Sequence, residues 1–154
     1  MTGRLIGIAR RARKRAPMEE IERARVTPDG GVEGNFGRRH ESRAVTVLSR
    51  EAWQAALEEL GASPAEPWTI RRANLFVEGV DLPKRAGARL RIGGVLLETT
   101  CETDPCKRID EQLPGLRRAL TPDWRGGVRA RVLEAGEVRL DDEVTLDPSG
   151  EGMP

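Results

Sequence analysis

A cysteine that precedes two cations is the residue of this sequence best suited to chemistry. It is Cys106, and Lys107 and Arg108 follow it directly. Asp104-Pro105 just before it is a typical helix entry, with Asp as the N-cap and Pro as the first helical residue. The positive end of that helix and the two cations would lower the pKa of the thiol, whereas the aspartate would raise it. A thiolate attacks sulfur, carries a persulfide or binds a soft metal; the alternative interpretation is a small buried hydrophobic residue.

Three further polar residues are candidates for the same site. Cys101 lies five residues earlier, at the end of a predicted strand, and is interpreted either as a resolving partner for the thiol or as a packed residue. His40 follows two arginines in a glycine-containing loop, where it would contact a phosphate or transfer a proton, or be an ordinary surface residue. Asn74 donates and accepts hydrogen bonds at once, which suits the edge of a heterocycle, but such a residue equally holds turns.

Positive charge is concentrated in three clusters, although 26 Lys and Arg against 25 Asp and Glu leave a net charge of +1. The clusters are Arg4, Arg10, Arg11, Arg13, Lys14 and Arg15; Arg38, Arg39, His40 and Arg43; and Arg71 and Arg72. A charged run is usually a solvated face. These clusters, however, flank loops that contain glycine or asparagine, and arginine pairs with phosphate in a bidentate way. They therefore predict a pocket for an anion such as a phosphate.

The elements that must position these residues are mostly strands. Apolar patterns and turn signals predict strands over residues 4–9, 21–27, 44–48, 68–70, 74–77, 88–92 and 95–101. Gly93-Gly94 predicts a hairpin between the last two of these strands. A final hairpin is predicted over residues 128–146, with its turn near Ala135-Gly136.

Two helices are predicted among the strands. The first runs over residues 51–60, because Ser49 is a good N-cap, apolar side chains recur at helical spacing from Trp53, and Gly61 is a stop signal. We interpret Trp53 as a core residue. The second helix runs over residues 105–113. Many short strands with glycine-rich turns and few, short helices predict a mainly β fold, a closed or nearly closed β-barrel.

The composition is that of one globular domain. The chain has 154 residues, 38% of them hydrophobic, and we expect one domain over residues 1–147 and a flexible tail over residues 148–154. The sequence has no run of 18 apolar residues that would predict a membrane span, and its basic N-terminus lacks an apolar h-region and a small-residue cleavage site, so we expect no secretory signal. Two cysteines favour a reduced, cytoplasmic setting, and one histidine excludes a multi-histidine metal centre within one chain. Two Phe and no Tyr disfavour nucleic-acid binding.

Several segments, taken in order, resemble the MOSC domain, which is found at the C-terminus of molybdenum cofactor sulfurases and as small standalone bacterial proteins. Residues 31–40, with the sequence GVEGNFGRRH, resemble the family's G-x-E-G-D…H stretch, with Asn35 where Asp is commoner. Residues 71–80 are similar to the family's N-L-x-x-x-G segment, with Ala73 where many members have Glu. The segments that resemble its Pro-Cys motif and its closing hairpin are residues 97–106 and 127–146.

The resemblance implies a barrel of the kind also seen in the pyruvate kinase barrel domain, and binding of the molybdenum cofactor (molybdopterin) or a related sulfur-transfer role. Cys106 would be the molybdenum ligand or the persulfide carrier. The residues implied to bind the pterin and its phosphate are His40, Arg71, Arg72, Asn74, Lys107 and Arg108.

The implied reaction is either delivery of sulfur or reduction of an N-hydroxylated substrate, the second being known for some relatives. The chain is too short to contain the pyridoxal-phosphate cysteine desulfurase domain of the larger relatives. Sulfur would therefore come from a partner such as a cysteine desulfurase, and electrons from a redox partner protein. The alternative function is a non-catalytic β-barrel that binds an anionic ligand or a partner protein through its basic loops.

Overall fold

The computed structural model describes residues 2–13, 16–36, 44–103 and 109–147, and within them the chain forms mainly strands. These are β1 (Thr2–Arg10), β2 (Glu19–Ile21), β3 (Arg23–Thr27), β4 (Gly31–Val32), β5 (Val45–Ser49), β6 (Leu75–Glu78), β7 (Arg89–Ile92), β8 (Val95–Glu102), β9 (Val128–Glu134), β10 (Gly136–Arg139) and β11 (Glu143–Asp147). The α-helices are α1 (Arg50–Leu60), α2 (Ile109–Gln112) and α3 (Leu116–Leu120). The fold is therefore mainly β, as predicted.

Seven of the strands close into a barrel. Their order around it is β1, β11, β7, β8, β9, β5 and β6, and β6 pairs with β1 again. All of these pairs are antiparallel except β5 with β6, which are parallel because α1 crosses over between them. The pair between β1 and β11 closes the barrel and places Gly3 opposite Val144. The predicted closed barrel is confirmed.

The strands outside the barrel differ from the prediction. The short strand β2 pairs with the far end of β1, and β10, β3 and β4 form a separate small sheet. The single strand predicted over residues 21–27 is thus two strands with different partners.

The hairpin predicted over residues 128–146 is wrong. Strand β9 lies between β8 and β5, whereas β10 pairs with β3, and β11 pairs with β7 and β1. After β9, Gly136 packs closely against the backbone of Gly94. A Cβ at Gly136 would lie 2.5 Å from the Gly94 carbonyl oxygen, so this approach requires glycine. The apolar residues of β9 nevertheless alternate as predicted and are buried.

Helix α1 has the ends that its sequence predicts. The Ser49 side chain accepts a hydrogen bond from the backbone N–H of Ala52 at 3.0 Å, and Gly61 ends the helix with a left-handed φ of 68°. The segment predicted as a strand over residues 68–70 is instead a 3₁₀ helix, Trp68–Arg71, because Trp68 and Ile70 are buried against the helices rather than within a sheet. Of the helix predicted over residues 105–113, the described part is α2 alone.

Two apolar clusters stabilise this arrangement. The first fills the barrel, and its fully buried side chains include Leu5, Ile8, Val47, Leu75, Leu97 and Val128. The second lies between the barrel and the helices and includes Trp53, Leu57, Trp68, Phe76, Leu116 and Leu120. Each fully buried apolar side chain of this size contributes about 1.5–3 kcal/mol. The interpretation of Trp53 as a core residue is confirmed, and no helix in the described ranges is long and apolar enough to cross a membrane.

Candidate functional site

Cys106, Lys107 and Arg108 lie outside the described residues, but the chain on both sides of their segment is firmly held. Before the segment, the backbone N–H of Thr103 donates to the carbonyl of Gly127 at 3.0 Å. After the segment, Ile109 is buried in the cluster between the barrel and the helices. Both ends of the segment that carries the thiol are therefore fixed to the barrel.

Arg71 joins this segment to the loop that precedes β9. Its Nη2 donates to the carbonyl of Thr103 at 2.9 Å, and its Nε donates to the carbonyl of Gly126 at 2.8 Å. The arginine is only 7% exposed. Hydrogen bonds from a charged donor contribute about 1.5–3 kcal/mol each. The arginine predicted to bind a phosphate thus anchors two backbone segments at the site, and its contact with a ligand stays a prediction.

Asn74 uses its amide to extend the barrel sheet. Its Oδ1 accepts from the backbone N–H of Thr46 at 3.1 Å, and its Nδ2 donates to the carbonyl of Ala9 at 3.2 Å. These bonds bridge β5 and β1 just before β6 enters between them. The neighbouring Arg72 has a left-handed φ of 64° and ends the 3₁₀ helix. Of the two interpretations of Asn74, the structure supports the structural one, and ligand binding by either residue stays a prediction.

His40 also lies outside the described residues, and the stretch before it is bound to the end of β1. The Asn35 side-chain oxygen accepts from the backbone N–H of Arg11 at 3.1 Å. The Arg10 guanidinium donates to the carbonyl of Glu33 at 2.8 Å. An aspartate would accept the same bond as Asn35, so this difference from the family pattern preserves the local structure.

Arg4, another member of the first basic cluster, is ion-paired. Arg4 and Arg50 donate to the two carboxylate oxygens of Glu78, each at 2.9 Å. The hydrogen bond from Arg50 and then that from Arg4 lower the pKa of Glu78 below its usual value of 4.5. The Glu78 carboxylate at the end of β6 thus links Arg4 on β1 to Arg50 at the start of α1, so this member of the first cluster is engaged within the protein.

Cys101 is exposed, so its interpretation as a packed residue is wrong. It lies near the end of β8, where a register shift in the pairing with β9 leaves Cys101 opposite Arg129. Its role as a resolving partner stays a prediction.

A cavity of about 520 Å³ opens beside Gly127, whose carbonyl accepts a hydrogen bond from the backbone N–H of Thr103. Three segments that are distant in the sequence form it, namely the start of α1, the loop after β6 and the loop before β9. The lining residues are Ser49, Glu51, Ala52, Ala55, Gly79, Val80, Asp81, Leu82, Lys84, Asp123, Trp124, Arg125, Gly127 and Val128. Sequence reasoning missed this cavity; the one local signal is the pair Gly126-Gly127, which directly precedes the predicted final hairpin.

The cavity has apolar walls and charges of both signs at its edge. Two of the charged residues are already occupied within the protein: Glu51 accepts from the backbone N–H of Gly79 at 3.0 Å, and Arg125 lies 3.0 Å from Glu59. Asp81 and Lys84 are exposed. Such a lining suits a ligand with an apolar body and polar edges.

A buried hydroxyl belongs to Thr103, the residue whose backbone N–H binds the cavity-lining Gly127. The Oγ1 of Thr103 is buried and, within the part of the chain that the structure describes, has no hydrogen-bond partner. An unsatisfied buried polar atom costs about 1–3 kcal/mol, which is why native structures contain few of them. In the same described ranges, no three His, Cys, Asp or Glu side chains are grouped as a metal site would require.

Comparison with known proteins identifies the fold and the family. Residues 32–145 match the sequence model of the MOSC domain. The crystal structure of the YuaD protein from Bacillus subtilis is similar over 94% of each chain, with 21% identity and a TM-score of 0.77. That of YiiM from Geobacillus stearothermophilus is similar over 97% of this chain and 77% of that one, with 18% identity and a TM-score of 0.75. No curated protein matches the sequence significantly. At these identities the solved structures show the fold alone.

Proposed function

Because this chain belongs to the MOSC domain family, whose function is associated with the molybdenum cofactor, we propose that it binds this cofactor with Cys106 as a ligand of the molybdenum. The cavity lined by Gly127, to which the backbone N–H of Thr103 is hydrogen-bonded, carries the proposal. Its volume of about 520 Å³ lies within the range of ligand and cofactor sites, roughly 300–1,000 Å³. Thr103 is three residues before Cys106, a distance that an extended chain spans with at most about 11 Å.

The cavity also supports one of the two roles that the family resemblance implies over the other. A sulfur carrier needs an accessible thiol, but no cavity of this size. A pterin needs walls that accept an apolar ring and polar atoms at its edges. Val80, Leu82 and Val128 provide the first, and Asp81 and Lys84 the second. We therefore favour cofactor binding, with sulfur transfer as an outcome of the test.

The donor chemistry fits the cofactor. A thiolate is a soft ligand of the kind that molybdenum accepts, and Cys106 would provide it. The Thr103 hydroxyl, which has no hydrogen-bond partner among the described residues, would form a hydrogen bond with a polar group of the cofactor. Arg71 would hold Thr103 and Gly126 at a fixed separation and add positive charge beside an anionic ligand.

When bound, the cofactor supplies a molybdenum centre that exchanges electrons with a substrate. A redox partner protein would provide those electrons. In the alternative role, a cysteine desulfurase would provide sulfur to the same thiol. His40, Lys107 and Arg108 remain proposed contacts of the pterin and its phosphate.

The two cysteines offer a matched test. We would express the wild type, Cys106→Ala and Cys101→Ala in a host that makes the cofactor, and measure molybdenum per protein by elemental analysis. The proposal predicts molybdenum in the wild type and in Cys101→Ala, and its loss from Cys106→Ala with an unchanged circular dichroism spectrum.

Other results would overturn the proposal. If Cys106→Ala holds as much molybdenum as the wild type, the cysteine is not the ligand. If the wild type holds none but carries a persulfide that Cys106→Ala lacks, the protein is a sulfur carrier. If it holds neither, the non-catalytic barrel is the correct interpretation.

A further inference from the structure

Trp124 differs from the other two tryptophans of the chain in its environment. Trp53 and Trp68 are buried in the cluster between the barrel and the helices, whereas Trp124 is half-buried and lines the cavity. It also packs against the apolar cluster inside the barrel. Its ring is therefore supported by the protein and close to whatever occupies the cavity.

The backbone at Trp124 is held in an uncommon conformation. Asp123 and Trp124 are consecutive residues with left-handed φ values of 53° and 54°. For a residue as bulky as tryptophan this conformation is a clear outlier, which persists only where the surroundings fix it. The backbone N–H of Gly127 donates to the carbonyl of Trp124 at 3.0 Å, and Arg125 donates to the carbonyl of Ala119 at 3.0 Å.

We propose that Trp124 is the aromatic wall of the cavity, on which the planar ring of a bound heterocycle stacks. The proposal rests on the proposed function, since the cavity must hold the pterin. It goes further because it assigns a residue for the ring itself. Stacking on tryptophan recognises the shape of a planar ring, and the acidic and basic residues at the cavity edge, Asp81 and Lys84, are placed to meet its polar atoms.

The other interpretation is that Trp124 merely anchors its loop in the barrel. Two observations favour stacking. A loop anchor has no need of an exposed surface, yet Trp124 is half-buried at the cavity. The loop is also anchored without the indole, because Arg71 and Thr103 bind the carbonyls of Gly126 and Gly127.

The test compares variants that keep or remove the ring. Trp124→Phe keeps an aromatic ring, and Trp124→Leu keeps apolar volume without one. The probe is pterin-6-carboxylate, titrated into cofactor-free protein by calorimetry. Because stacking on an aromatic side chain contributes a factor of roughly 5 to 150 in affinity, we expect Trp124→Leu to bind at least about fivefold more weakly and Trp124→Phe to lie between it and the wild type.

Fluorescence separates stacking from a structural role. The pterin should quench the emission of the wild type more than that of Trp124→Phe, in which only the buried Trp53 and Trp68 emit. This readout needs only Trp124→Phe, so it remains decisive if Trp124→Leu does not fold. Equal affinity of all three proteins, or equal quenching of the wild type and Trp124→Phe, would overturn the proposal.

The molybdenum content of the same variants separates this inference from the proposed function. If Trp124→Leu folds and retains wild-type molybdenum and pterin affinity while Cys106→Ala loses the metal, the stacking proposal is wrong and cofactor binding stands. If Trp124→Leu weakens pterin binding but Cys106→Ala retains the metal, the stacking wall is supported and the cysteine ligand is wrong.

Discussion

Replacing Arg71 by methionine removes two hydrogen bonds that join the loop before β9 to the end of β8. The carbonyls of Gly126 and Thr103 then lose these donors in a buried environment. An unsatisfied buried group costs about 1–3 kcal/mol, so the two together predict a loss of about 2–6 kcal/mol in the free energy of unfolding. Because a domain of this kind has a total stability of about 5–15 kcal/mol, the effect is large.

Urea unfolding followed by circular dichroism measures this loss from the shift of the midpoint at a common slope. Arg118→Met is the matched control, because Arg118 is exposed on α3, where substitutions usually change stability by less than about 0.5 kcal/mol. Arg71→Lys should lie between the two, since an ammonium keeps the charge but not the planar fork of donors. A midpoint for Arg71→Met equal to that of Arg118→Met would refute this account of the anchor.

Three further substitutions test other parts of the structure. Thr103→Val keeps the side-chain shape but removes a hydroxyl that has no partner among the described residues, so in cofactor-free protein it should be neutral or stabilising by up to about 1 kcal/mol in urea unfolding. A clear loss of stability would show that the hydroxyl has a partner within the protein. Glu78→Gln should lower stability at neutral pH, because the folded-state pKa of Glu78 lies below its usual 4.5 and the ionised carboxylate therefore stabilises the fold above that value. The stability difference from the wild type should shrink as the pH falls through the folded pKa, whereas a constant difference would contradict the ion pair. Gly127→Ala should destabilise the protein by about 3 kcal/mol or more, because the φ of Gly127 is +101° and a Cβ would clash with the carbonyl of Val47. Gly61→Ala, with free space at its Cβ, should cost only about 1 kcal/mol, and equal unfolding midpoints for the two variants would contradict the close approach at Gly127.

Local signals in the sequence predict the parts of the fold that local interactions determine. Helix α1 begins and ends where its cap residues predict, since Ser49 and Gly61 form their capping contacts within a few residues. The hairpin of β7 and β8 follows from Gly93-Gly94 in the same way. The apolar periodicity also predicts a closed barrel, because many short strands must bury their apolar faces together.

Long-range pairing explains what the sequence did not predict. Strands β9 and β10 are adjacent in the chain and have no pairing with each other, because each finds its partners elsewhere in the fold. Nothing in the local pattern around Trp68 distinguishes a strand from the observed 3₁₀ helix, which is determined by packing against the helices.

The candidate site was predictable in part. The sequence predicts Arg71 as a site residue, and its buried contacts with two carbonyls depend on the fold. The cavity was not predictable, because its walls come from three segments separated by more than twenty residues each. Trp124 has no functional signal in the sequence, because its left-handed backbone and its half-burial at the cavity are visible only in the structure.

The most direct test of cofactor binding is the content of freshly purified wild-type protein. Elemental analysis combined with native mass spectrometry would measure both the metal and the mass of any bound organic group. We expect about one molybdenum per chain, together with the mass of a pterin that leaves when the protein is denatured. Protein that contains neither molybdenum nor pterin, after expression in a host that makes the cofactor, would contradict the account.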